Sequence, residues 1–124
     1  MTSQADRTTT RLAHIIEAIG RVMAYTDGMD EAAFVANRLV VDAVGLNIAI
    51  IDEAARVVIE HDAAFAGSHP ELSLRQARAI RNVVIHAYAV ADQHVVWRVV
   101  KDELPAMGAH ARHALHEIEG LDQP

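Results

Sequence analysis

The sequence predicts an all-α protein, an up-and-down bundle of about five helices within one domain spanning residues 1–124. Three observations predict it. Apolar residues recur at helical spacing in successive segments, with no sustained period-2 alternation. Cap residues, glycines and prolines punctuate those segments at helix-sized intervals. The 124 residues are 52% hydrophobic but only 4% aromatic, so one aliphatic core of Val, Ile, Leu and Ala is expected.

Residues 1–7 are polar and are expected to be flexible. From Thr8 to Tyr25, Leu12, Ile15, Ile16, Ile19, Val22 and Met23 form one apolar stripe on a helix. "TDGMD" ends it, with Gly28 suited to a left-handed cap. Asp30 then caps a short helix over Glu31 to about Asn37. A longer buried helix follows from about Val40 to Glu60. "HDAAFAGSHPE" reads as a loop, because Gly67, Ser68 and Pro70 interrupt the pattern. Ser73 opens the next helix, with Gln76 placed for a capping box, and that helix runs to about Tyr88. Asp92 is the cap expected before Val95, Val96, Val99 and Val100. Pro105 starts a further helical segment, since a first turn tolerates proline, and the tail to Leu121 is helical with a polar face.

Composition excludes several classes of function. There is no cysteine, which removes disulfides, thiolate metal sites and cysteine nucleophiles together. No apolar run is long enough for a signal peptide or a bilayer span, so a soluble cytoplasmic protein is expected. Net charge is −6 and only one of the eleven basic residues, Lys101, is a lysine. General electrostatic binding of nucleic acid is therefore not expected; contact with it requires a local arginine cluster or a composite site.

The segment "RNVVIHAY", Arg81 to Tyr88, carries the chemistry. On an α-helix each residue turns about 100°. Arg78, Asn82 and His86 then form one stripe, with Arg81 and Tyr88 together beside it. Ile80, Val83, Val84 and Ala87 are expected on the opposite, core-facing side. Arg81 and His86 are about 140° apart on an ideal helix, so arginine's reach, fraying near Tyr88 or a second subunit must bring them to one substrate. Ile85 lies within the polar arc, which suggests that this face packs against a twofold mate. From the residues alone, a solvated polar face is the simpler reading.

Arg81-x4-His86-x-Tyr88 resembles the R-x4-H-x-Y signature of the HepT-like group (DUF86) of the HEPN superfamily. "LAHIIEAIGRVMAYTDGMDEAAF", "IIDEAARVV" and "VVWRVVKDELPAM" resemble the family's first helix and turn, third helix and closing segment, so the likeness covers most of the chain. It implies a helical homodimer, and a ribonuclease toxin of a toxin–antitoxin pair, cutting RNA (tRNA above all). By the same resemblance Arg81 and His86 are catalytic, and Asn82 matches the polar residue that often follows the arginine. Asn82 and Tyr88, with Arg78 on the same stripe as Asn82 and His86, are expected to position substrate. The resemblance also implies that a minimal nucleotidyltransferase antitoxin of the MntA type adenylylates Tyr88. The residue types suit metal-independent cleavage: a histidine manages the 2′-OH proton and an arginine fork stabilises the phosphorane. No cofactor and no metal ligand is assigned.

The sequence departs from the family in two helices. Leu46-Asn47 stands where an Arg-Asn pair is usual, Ala49 where a Glu is usual and Asp52 where a Gly is usual. Leu74 and Arg78 replace a common Trp and Gly. Loss of the polar pair leads to a second expectation, a degenerate subunit that binds a nucleotidyltransferase without cutting RNA.

Three further features receive simpler readings. His110, His113 and His116 in the tail cannot all face one ion on a straight helix, so they are read as a solvated face. Trp97 is read as core or interface. Asp52 and Glu53 point about 100° apart and do not form a carboxylate pair.

Overall fold

The computed structural model describes residues 3–121. They form seven α-helices and one π-helical turn: α1 (Gln4–Thr26), α2 (Glu31–Ala36), α3 (Arg38–His61), α4 (Ala63–Ser68), α5 (Leu74–Ala89), α6 (Gln93–Arg98), the π turn Val99–Glu103, and α7 (Leu104–Leu121). Among the described residues there is no strand, in agreement with the expected all-α bundle. The four long helices are α1, α3, α5 and α7, with α2, α4 and α6 short. The chain turns back along itself, so α1 packs on α3 and α7, and α3 packs on α5.

The α1 stripe buries Leu12, Ile15, Ile19 and Val22 against Val41, Val44, Ile48 and Ile51 of α3. Val96, Val100, Leu104 and Ala111 extend the same core into the closing segment. Trp97 is buried and lies tilted against Phe34 of α2, with ring centroids 5.2 Å apart. Burying side chains of this size stabilises the fold by about 1.5–3 kcal/mol each, before chain entropy is subtracted.

The structure alters several expected boundaries. Helix α1 starts at Gln4 because Ser3 and Asp6 form a reciprocal capping box, so residues 3–7 belong to its cap and first turn. Met1 and Thr2, the rest of the segment expected to be flexible, lie outside the described residues. The stretch read as a loop contains α4: Asp62 caps it by accepting from the Phe65 N–H, and Phe65 is buried. The Asp62 carboxylate also accepts from the buried Thr8 hydroxyl at 2.6 Å.

Ser73 stands at the N-cap of α5 but its hydroxyl makes no cap bond, and Gln76 instead donates to Glu103 at 2.8 Å. Asp92 likewise occupies the N-cap position of α6 without a side-chain bond. Pro105 stands in the first turn of α7, which begins one residue earlier at Leu104, so the expected new segment is present. The chain passes from α6 into α7 through the π turn, where the Leu104 N–H reaches Val99 O, five residues back. That wider turn accommodates a proline that lacks an N–H and would crowd the carbonyl four residues earlier. No helix among the described residues is long and apolar enough to cross a membrane.

Candidate active site

Helix α5 holds its signature residues in place by burying Leu74, Ala77, Ile80, Val84 and Ala87. This spacing is slightly different from the expected core face. Val83 is 46% exposed and is not a core residue; it stands on the α6 side of the helix and lines a surface groove. That groove, of about 510 Å³, is walled by Asn82, Val83, His86, Ala87, Val90, Asp92 and Val95. Its end is shaped by the exit from α5, where Ala91 takes a left-handed backbone at φ 58° and the Asp92 N–H donates to Ala87 O.

His86 is exposed on this groove wall, one turn beyond Asn82. Arg81 does not line the groove, but its Nη1 donates to Asn82 Oδ1 at 3.1 Å. The bond turns the guanidinium toward the stripe that carries His86. The structure thus places Asn82 and His86 together and brings the head of Arg81 to their edge.

Arg78 and Tyr88 lie elsewhere. Arg78 Nε pairs with Asp52 of α3 at 3.1 Å; the Asp52 side chain is 11% exposed and that of Arg78 is 52% exposed. Its charge is therefore engaged at the α3–α5 seam. Tyr88 also faces α3: its hydroxyl accepts from Arg38 Nη2 at 2.6 Å, and the Arg38 guanidinium lies 4.8 Å from the centre of its ring. Arg38 Nε additionally donates to Asp42 at 3.1 Å. The Tyr88 hydroxyl first, and then Asp42, hold the Arg38 pKa above its usual value. Nothing in the sequence pattern singled out Arg38, because its partner is 50 residues away.

The third helix keeps more polar structure than expected. Asn47 is buried, accepts from Arg21 Nε of α1 at 2.8 Å and donates to Ala43 O. Asp52 is buried and holds Arg78. The expected loss of a polar pair is thus offset: an arginine of α1 serves Asn47 from outside α3, and Asp52 places a carboxylate beneath α5. Asp52 and Glu53 go to different arginines, Arg78 and Arg56, as their directions on the helix predict.

Apolar side chains are exposed on α5 and α3. Val83, Ile85 and Val90 of α5 are 46%, 47% and 58% exposed, and Leu39 and Leu46 of α3 are 84% and 64% exposed. In the tail, Glu117 contacts His113 at 3.0 Å and His69 at 3.1 Å, using one oxygen for each. Among the described residues no group of three or more His, Cys, Asp or Glu converges as a metal-binding cluster.

Comparison with known proteins adds an independent finding. Residues 15–114 match the family described as "Ribonuclease HepT-like". The chain is 31% identical over 94 residues to "Putative RNase MJ1380" of Methanocaldococcus jannaschii, covering 76% of this chain and 84% of that protein. It is 32% identical over 96 residues to "Probable ribonuclease HepT" of Thermococcus cleftensis, covering 77% and 84%. No solved structure matches.

Proposed function

This chain belongs to the ribonuclease HepT-like family, and on that premise we propose that it is a cytoplasmic, metal-independent endoribonuclease whose site is built on α5. The observation that carries the reading is the bond from Arg81 to Asn82, which draws the guanidinium toward the groove lined by His86. In the proposed reaction His86 accepts the proton of an RNA 2′-OH. The 2′-oxygen forms a bond to the adjacent phosphorus while the bond from phosphorus to the 5′-oxygen breaks. The leaving oxygen takes up a proton, giving 2′,3′-cyclic phosphate and 5′-hydroxyl ends. Arg81 stabilises the charge that builds on the phosphorane oxygens. Asn82 holds Arg81, and Arg78 and Tyr88 position substrate.

The active form is a homodimer that pairs the α5 faces. Exposed Val83, Ile85 and Val90 beside Asn82 and His86 support this assembly, because apolar side chains next to a polar site are suited to burial against a second copy. Pairing also places two sets of Arg81 and His86 around one cleft. We further assign the protein the role of toxin, with tRNA as substrate and a minimal nucleotidyltransferase as its antitoxin. That enzyme would adenylylate Tyr88, a residue 40% exposed whose hydroxyl meets Arg38 of α3. A second reading, a degenerate partner subunit, is favoured by the engagement of Arg78 with Asp52 and by the net charge of −6.

Incubation of unmodified protein with tRNA, followed by analysis of the new ends, separates the two. Cyclic phosphate ends support the enzyme; intact RNA with a folded dimer supports the partner subunit.

A further inference from the structure

We infer that Arg38 is a positioning residue that, together with the Tyr88 hydroxyl, binds a backbone phosphate of the RNA neighbouring the scissile one. The inference rests on the ribonuclease reading above and adds a residue from a different helix to its site.

The hydrogen-bonding inventory of the pair carries the argument. Arg38 uses Nε on Asp42 and one N–H of Nη2 on Tyr88. A guanidinium has five N–H donors in a planar fork, so Nη1 and the second N–H of Nη2 remain without a partner among the described residues. The Arg38 side chain is 65% exposed, which leaves that edge open to solvent. Tyr88 is held as an acceptor by Arg38, so its own O–H is free to donate elsewhere. Guanidinium N–H groups and a phenolic O–H therefore stand side by side, with Nη2 2.6 Å from the hydroxyl oxygen. A phosphodiester with two non-bridging oxygens is the anion that suits such neighbouring donors.

Position along the helix decides which phosphate. Tyr88 follows Arg81 by seven residues, about 10 Å along the helix axis. The two arginines are also engaged on different partners, Arg81 on Asn82 of the His86 stripe and Arg38 on Tyr88 and Asp42. Arg38 therefore holds a neighbouring phosphate while Arg81 serves the reacting one. Asp42 competes for Arg38 at 3.1 Å and weakens the site, an effect open to test. The same donors would meet the phosphate of adenylylated Tyr88, so the experiment uses unmodified protein to read the RNA phosphate alone.

The full chain carrying His86→Ala, which does not turn over in the proposed mechanism, is titrated with labelled tRNA at several salt concentrations. Adding Arg38→Ala is expected to weaken binding about tenfold and to flatten the dependence of log affinity on log salt by about 0.7 to 1. Asp42→Asn is expected to strengthen binding more with Arg38 present than in the Arg38→Ala background; an equal gain in both would be general electrostatics and would count against the inference. Arg56→Ala, which removes an arginine already bonded to Glu53 and Glu60, is expected to leave binding unchanged. If the His86→Ala protein binds tRNA equally well with and without Arg38, the inference is wrong and the ribonuclease reading stands. If it binds no tRNA at all while Arg38 is intact, both fail together.

Discussion

Arg81 and Asn82, adjacent in sequence, are joined by a 3.1 Å bond from guanidinium to amide oxygen, and this contact turns the arginine toward the stripe of α5 that carries His86. On an ideal helix Arg81 and His86 are about 140° apart and could not share a substrate directly. The side-chain bond directs the guanidinium to Asn82, which lies on the His86 stripe. It also fixes the Asn82 amide as an acceptor toward Arg81 and leaves its NH2 group available to the groove.

The ion pair between Asp52 and Arg78 predicts a gain of function. Asp52→Asn removes the charge that occupies Arg78 and should tighten RNA binding severalfold, in the direction expected for one freed phosphate contact. Arg78→Ala should weaken it in the wild-type background. Filter binding at low and moderate salt measures both, and tighter binding that survives high salt would argue against this origin.

Ile85 predicts the assembly. It is 47% exposed in the middle of the signature arc, so Ile85→Glu should leave the monomer folded and raise the dimer dissociation constant by at least about tenfold. Sedimentation equilibrium reads this directly. A dimer of unchanged affinity would place the interface on another face.

Val84 lies beneath the site. It is 2% exposed, and Val84→Ala should cost about 1–3 kcal/mol of stability through lost burial and a small cavity. Urea unfolding gives the value. If α5 keeps its seating on α3, residual cleavage per folded molecule should fall far less than for His86→Ala.

The Glu53 carboxyl gives a pH prediction. The hydrogen bonds from Arg56 hold its pKa below the usual carboxylate value. A depressed folded pKa contributes stability that is present above the unfolded value, about 4.3, and is lost as pH falls through the folded value. Glu53→Gln should therefore lower the melting temperature slightly at neutral pH, with the gap closing below the ordinary carboxylate range. Because the pair is exposed, added salt should also shrink the gap.

Much of the fold was legible because helical periodicity is a local signal. The apolar stripe of α1 and the long buried α3 appear where the spacing puts them. Features set by distant partners were not legible. Gln76 leaves the capping box for Glu103, and α4 forms in a Gly-Ser-Pro stretch because Phe65 finds a buried place. Helical angle alone puts Val83 on the core side, yet the turn at Ala91 and the start of α6 leave a groove at its side. The same limit applies to the site. Arg81, Asn82 and His86 follow from one helix, whereas the Arg38–Tyr88 and Asp52–Arg78 contacts depend on how α3 and α5 pack. The polar support of Asn47 by Arg21 is likewise a relationship between helices.

The most direct test is cleavage of a mixed tRNA pool by unmodified protein in EDTA, with Arg81→Ala and His86→Ala alongside. Both residues lie on the surface, so both variants should fold as the wild type does. The account predicts chelator-resistant cleavage by the wild type that falls at least about 100-fold in each variant. Failure of folded, dimeric, unadenylylated wild type to cut, or cutting that persists in both variants, would contradict it.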